Sequence, residues 1–231
     1  MLRIGTRGSR LALWQANFIK TEINSKFPDI QIEIEIISTE GDKLTNTPLS
    51  EIGGKGVFVK DIEKALLAKK IDIAVHSMKD MPSVLPDGLI IGAVTKRKHP
   101  ADALVSKDNL MLQDLKPGSR VGTGSLRRKA QIIHHYPDID VVPIRGNVDT
   151  RLKKLETEGL DAVVLAVAGL QRMGFGERIS QVIDTEILIP APGQGIVAVE
   201  SRSGDKKTNE ILNSLNDLES LSESLLERLR K

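Results

Sequence analysis

The sequence predicts an α/β protein with mainly parallel sheets. Short apolar strands alternate with amphipathic helical stretches along the whole chain. Two glycine-serine turns each end a strand and open a helix: Ile4-Gly5-Thr6-Arg7-Gly8-Ser9 and Val121-Gly122-Thr123-Gly124-Ser125. A second echo, LLAKKIDIAV at 66–75 against LETEGLDAVV at 155–164, reads helix, Asp, apolar strand both times. Together the echoes suggest two similar lobes, although their offsets differ and all βα units share this look.

In chain order, Leu2 to Gly5 reads as a buried strand. A helix from Ser9 stops before Pro28, because proline cannot continue it. IQIEIEII at 30–37 alternates apolar and charged residues, as a half-buried strand does. Thr39 to Gly56 lacks periodicity and reads as a loop. VFVKDIEKALLAKK at 57–70 is an amphipathic helix, IDIAVHS at 71–77 a strand, and LIIGAV at 89–94 another after a Pro-containing turn. A second series follows Thr95. ALVS at 103–106, SRVGTGS at 119–125 and DVVPI at 140–144 are strand-like. SLRRKAQIIHHY at 125–136 and NVDTRLKKLETEG at 147–159 are helical, the second ended by Gly159. DAVVLAVAGL at 161–170 turns from strand to helix. The stretch from Ile187 to Glu200 returns to strand character across a Pro/Gly turn, and 205–216 and the tail are helical. Leu218, Leu221, Leu225 and Leu229 form a stripe on the last helix, expected to pack on its own lobe or to dock a partner.

Composition removes several function classes. With 231 residues and 40% hydrophobic content, the chain can bury one large core or two small ones. Aromatics at 3% are too few for nucleic-acid stacking platforms, and a net charge of +2 gives no field for a polyanion, so no nucleic-acid partner is expected. The absence of cysteine excludes disulfides, thiolate metal sites and a cysteine nucleophile. The N-terminus has no secretory pattern and no run approaches the ~20 apolar residues of a membrane span, so a cytoplasmic protein without membrane contact is expected.

Four groups of residues carry chemistry. The two Gly-Ser turns offer free N–H groups at helix starts, suited to an anion, with simple N-capping by Ser9 and Ser125 as the plain alternative. Arg7, Arg10, Arg127, Arg128, Arg145, Arg151 and Arg172 fall at strand ends or helix starts. Arginine matches carboxylates bidentately, so the set suggests a small molecule with several carboxylates or phosphates. His76-Ser77-Met78-Lys79-Asp80 ends a strand, where ligands of open α/β sheets bind, and Lys79 with Asp80 offers an acid/base pair. His76 carries less weight, as a boundary residue after a buried strand. The glycine-rich loop with Lys55 suits either a lid or a surface loop, and no metal-ligand spacing is present.

IGTRGSRLALWQA at 4–16, GGKGVFVK at 53–60, VHSMKD at 75–80, VGTGSLRR at 121–128, IRGNVDTRL at 144–152, LAVAGLQRMG at 165–174 and APGQG at 191–195 resemble the motifs of the porphobilinogen deaminase family, in order, over residues 2 to about 217. The resemblance implies head-to-tail condensation of porphobilinogen into hydroxymethylbilane with loss of ammonia, in heme biosynthesis. It also implies two lobes like type II periplasmic binding proteins around a cleft: residues 1–94 with 191–231, and residues 95–190. By motif, Asp80 would be the catalytic acid with Lys79 beside it, and Ser77 and Gln15 would assist positioning. Arg7, Ser9, Thr123, Ser125, Arg127, Arg128, Arg145, Arg151 and Arg172 would bind the acetate and propionate groups of substrate and of a dipyrromethane cofactor. Lys55 would lie on a flexible lid.

The departures bear on the cofactor. Family members normally continue into a third, α+β domain, whose cysteine in a Gly-Gly-Cys turn holds dipyrromethane by a thioether. This sequence stops at Lys231, has no cysteine for covalent attachment, and carries Thr123-Gly124-Ser125 where Thr-Ser-Ser is usual. Three explanations stay open: a separate chain supplies the third domain, Arg–carboxylate contacts alone hold the dipyrromethane, or the form is truncated or inactive. The alternatives to an enzyme are a non-catalytic or partner-dependent binder of polycarboxylate pyrroles and a solute receptor of the same architecture. The missing export signal argues against the receptor.

Overall fold

The computed structural model describes residues 1–39, 41 and 56–229. Contacts divide the chain into two compact units. The described residues of the first are 1–39, 41, 56–98 and 196–229; those of the second are 99–195.

In the first unit the strands β1 (Leu2–Thr6), β2 (Ile32–Ile36), β3 (Ile73–Ser77), β4 (Leu89–Val94) and β10 (Val197–Arg202) form one sheet, ordered β2-β1-β3-β10-β4. β1 pairs in parallel with β2 and β3, whereas β10 runs antiparallel to β3 and β4. Helix α1 (Arg10–Lys26) places Ala12, Ala16, Ile19 and Ile23 on one face. That face covers Ile4, Ile73, Val75, Val197 and Val199. Helix α2 (Lys60–Leu67) covers the other face, with Ile62 and Leu66 one turn apart against Ile71, Ala74 and Leu89.

The second unit holds β5 (Asp102–Ser106), β6 (Arg120–Gly122), β7 (Asp140–Val142), β8 (Ala162–Ala166) and β9 (Gln181–Val182), ordered β7-β6-β8-β5-β9. β6 is parallel to β7 and β8, and β5 is antiparallel to β8 and β9. Helix α3 (Leu126–His135) buries Ile132 against Leu104, Val121 and Val164. Helices α4 (Val148–Thr157) and α5 (Val167–Arg172) bury Leu152, Leu155 and Leu170 against Ala103, Val105 and Val163 on the opposite face. Both sheets are therefore mixed, with parallel strands joined through helices and one returning antiparallel strand beside them.

Three expectations change. The stretch from Ile187 to Glu200, expected to return to strand character across a Pro/Gly turn, is turn as far as Gly195, and its strand is Val197–Arg202 alone. Pro190 and Pro192 cannot donate to a ladder, and Gly193 and Gly195 take φ of 73° and 92°. The helix expected over 57–70 is confined to Lys60–Leu67, with Lys69 left-handed at φ 57°. Two short helices, α6 (Lys206–Asn213) and α7 (Leu218–Leu229), end the chain. On α7 only Leu221 of the expected stripe meets the core, while Leu218, Leu225 and Leu229 are exposed. The face turned inward carries Ser220 and Ser224 instead, because Ser220 Oγ accepts from the Arg97 amide at 2.8 Å. Arg97 also reaches Glu223 and Glu227 on the same helix. Polar anchoring, rather than leucine burial, fixes this helix.

Candidate active site

In the first unit the carboxyl ends of β1 and β3 lie side by side, since Ile4 pairs with Ile73 and Gly5 with Ala74. Beyond β1, Ser9 caps α1 and accepts from the Ala12 amide at 3.3 Å. The plain capping role thus holds for its hydroxyl. The Arg7 guanidinium stacks on Phe58, 4.1 Å from the ring centroid. Arg10 is exposed.

Beyond β3 the alternation of the strand sets two environments. Ser77 faces α1, where the buried Gln15 donates from Nε2 to its Oγ at 2.9 Å. His76 faces the opposite way, buried, with Nε2 3.4 Å from Glu200 Oε2. Burial pushes the Glu63 carboxyl of α2 above the usual carboxylate range, and the negative charge of Glu200 adds to it. The chain then makes one 3-10 turn, Met78–Asp80. Its period of three turns Met78 fully inward and leaves Lys79 half-buried and Asp80 exposed. The Met78 amide donates to Ile196 O at 3.1 Å, so the turn is fastened to the segment entering β10. No hydrogen bond or ion pair to Asp80 occurs among the described residues. Lys55 lies outside the described residues.

In the second unit the carboxyl ends of the three parallel strands share one edge of the sheet. Thr123 is buried after β6 and its Oγ1 accepts from the Ser125 amide at 3.3 Å. Ser125 caps α3, accepting from the Arg128 amide at 3.5 Å. A side chain at position 124 would place its Cβ 2.6 Å from the Ile144 carbonyl oxygen and 3.9 Å from Arg151 Nη2, so glycine permits this close approach. Arg127 and Arg128 both reach Asp102, the first residue of β5: Arg127 Nη2 to Oδ2 and Arg128 Nη2 to Oδ1, each at 2.6 Å. Burial alone would raise the Asp102 carboxyl. The charges and hydrogen bonds of Arg128 and then Arg127 outweigh it and hold the group below the usual range. Burial lowers the pKa of Arg127, with Asp102 pulling the other way.

Of the remaining arginines, Arg151 and Arg172 are anchored to main-chain carbonyls. Arg145 is half-buried just after Ile144. Arg151 donates from Nε to Gly146 O at 2.8 Å, where Gly146 has φ 116°. Arg172 donates from Nη2 to Gly195 O at 2.8 Å, and burial lowers its guanidinium to about 10. Each unit therefore collects its own share of the expected residues: Gln15, Ser77, Lys79 and Asp80 around β3, and Thr123, Ser125, Arg127 and Arg128 around β6. Sequence reasoning missed Asp102, which gathers the paired arginines, and Gln194, whose Nε2 donates to Asp102 Oδ1 at 2.9 Å. An aspartate opening an otherwise apolar strand, ADALVS, was the available signal. Among the described residues no group of three or more His, Asp or Glu is set to hold a metal ion, and no helix is long and apolar enough to cross a membrane.

Solved structures share this two-lobed α/β fold with mixed sheets. A periplasmic substrate-binding protein of an ABC transporter from Coxiella burnetii matches with a TM-score of 0.55 at 13% identity, covering 97% of this chain and 95% of its own. The VFT2 domain of BvgS from Bordetella pertussis matches at 0.52 and 15% identity, covering 98% and 92%. The family itself follows from sequence. Residues 2–210 match the model described as porphobilinogen deaminase, dipyromethane cofactor binding domain. The porphobilinogen deaminase of Syntrophotalea carbinolica is 49% identical over 216 residues, 94% of this chain and 69% of the relative. That of Trichlorobacter lovleyi is 49% identical over 227 residues, 98% and 72%. This chain belongs to the porphobilinogen deaminase family.

Proposed function

We propose that the chain acts in tetrapyrrole biosynthesis, in the cytoplasm, by joining four porphobilinogen units head to tail with release of ammonia. The observation that carries this reading is Asp80, an exposed carboxylate with no ion pair among the described residues, on a turn fastened by the Met78 amide and preceded by Ser77 locked to Gln15. Such a group stabilises a cation developing beside it. The aminomethyl group of the substrate is an ammonium at neutral pH, so its carbon–nitrogen bond breaks with the electron pair leaving on neutral ammonia. The pyrrole nitrogen donates into the ring, giving an azafulvene-like cation. The free α-carbon of the next pyrrole then attacks the exocyclic carbon and loses its proton. Asp80 lies opposite the positive charge and takes that proton, and Lys79 beside it orients a substrate carboxylate.

Each pyrrole carries two carboxylates, and the arginines of the second unit supply the matching cations. Arg127 has the chemistry for this group: its side chain is 25% exposed and two of its roughly five N–H donors have assigned partners. The same donors suit dipyrromethane, which, when bound, supplies a pyrrole chain end for extension. In this chain the residues that would hold dipyrromethane are the arginines, through carboxylate–arginine pairs, with a separate chain as the alternative source of a covalent anchor.

The test is incubation of purified protein with porphobilinogen while ammonia is followed. Release supports the enzyme. Tight binding without ammonia supports the second reading, a non-catalytic or partner-dependent binder of polycarboxylate pyrroles.

A further inference from the structure

Asp102 is fully buried, yet it stands at the first residue of β5, opposite Ala166 at the last residue of β8. That places a carboxylate at the sheet edge where the arginines gather. Its Oδ1 accepts from Arg128 at 2.6 Å and from Gln194 Nε2 at 2.9 Å, and its Oδ2 accepts from Arg127 at 2.6 Å. Gln194 Nε2 also donates to Pro100 O at 2.6 Å, so the amide holds the carboxylate against the strand's own entry. The two guanidiniums it grips differ. The Arg128 side chain is 6% exposed, its Nη1 donates to Val164 O at 3.0 Å, and its Nε is buried with no hydrogen-bond partner among the described residues. Arg127 is partly exposed, ties one donor to Ile189 O and keeps others unassigned.

We propose that Asp102, braced by Gln194, is a positioning residue that fixes Arg128 as a buried anchor and presents Arg127 as the guanidinium that meets a ligand carboxylate. The charges support this division. Two guanidiniums side by side repel, and one carboxylate between them leaves a single positive charge, suited to one acidic group rather than a polyanion. Holding Arg127 by two contacts also removes rotamer freedom that a ligand would otherwise have to freeze. The proposal deepens the reading of the second unit as a carboxylate site and rests on it for the identity of the ligand.

The test is a double-mutant cycle on the full chain, with porphobilinogen as ligand and calorimetry as readout. Arg127→Gln and Asp102→Asn are each expected to weaken binding by about tenfold or more. The double variant should bind no worse than the weaker single variant, because both act on one contact. Asp102→Glu keeps the charge but shifts the carboxylate by one methylene. It is expected to melt close to the unmodified chain while binding several-fold more weakly, a split that a merely structural role would not produce. A ligand-free arm uses phenylglyoxal labelling read by peptide mass spectrometry. Arg127 and Arg128 should label several-fold faster in Asp102→Asn, or in Asp102→Glu if the asparagine variant does not fold. Additive binding losses, or native-like binding by Asp102→Glu beside an impaired Arg127→Gln, would overturn the proposal. If the unmodified chain binds no porphobilinogen, the functional reading fails and the labelling alone decides the positioning claim. Equal labelling with and without the native Asp102 then overturns it.

Discussion

Two strand ends in this molecule use an aspartate in opposite ways. After β3 the chain turns Asp80 out to solvent, and its backbone is held by neighbours that do not touch the carboxylate. At the start of β5, beside the end of β8, Asp102 is buried and its hydrogen bonds come from two arginines and an amide. The difference teaches where each charge is spent. A buried carboxylate gripped by two arginines contributes to stability and geometry, whereas one left exposed on a fixed turn is free for chemistry.

The largest expected effect breaks the buried side of this comparison. Asp102→Asn leaves two guanidiniums near an uncharged amide and should cost about 3–5 kcal/mol, read from denaturant unfolding. Because the folded Asp102 carboxyl is held below its ordinary value, its contribution is present above the unfolded pKa and is lost as pH falls through the folded one. The unmodified chain should therefore lose this stability in acid, and the Asn variant should show a flatter profile there. Asp80→Asn should leave the melting temperature nearly unchanged at neutral pH.

A smaller effect sharpens the comparison inside the first unit. The Glu63 carboxyl is raised by burial and by Glu200, the opposite sign to Asp102. Its stabilising protonated form is fully present below the unfolded pKa and is lost as pH rises through the folded value. Glu63→Gln should accordingly melt a few degrees higher than the unmodified chain near pH 7.5 and match it near pH 4, by calorimetry. The smallest effect concerns the two helix starts. Ser9→Ala and Ser125→Ala should each cost about 1 kcal/mol, through loss of the caps on α1 and α3.

The α/β class and most elements were legible because period and punctuation agree along the chain. Ser9 and Pro28 bracket α1, and the apolar run of β3 ends in polar residues where the sheet ends. The Pro/Gly turn before the returning strand was legible but its extent was not, because local pattern does not say where prolines and glycines stop excluding a ladder. The two-residue β9 has too little sequence to show alternation. Of the leucine stripe on α7 only Leu221 packs on its own unit, because polar anchors through Arg97 decide which face turns inward. At the site, arginines at strand ends were visible as a pattern. Their anchoring was not, since the Asp102 and Arg128 that meet at 2.6 Å lie 26 residues apart and the pairing exists only after the sheet forms.

The central claim is that the exposed carboxylate of Asp80 carries the chemistry while arginines carry the binding. It is tested most directly by measuring porphobilinogen binding and ammonia release together in the unmodified chain and in Asp80→Asn. The account predicts retained binding with release reduced by about two to three orders of magnitude, the scale of losing one preorganised electrostatic group. Undiminished release from the Asp80→Asn protein would contradict it.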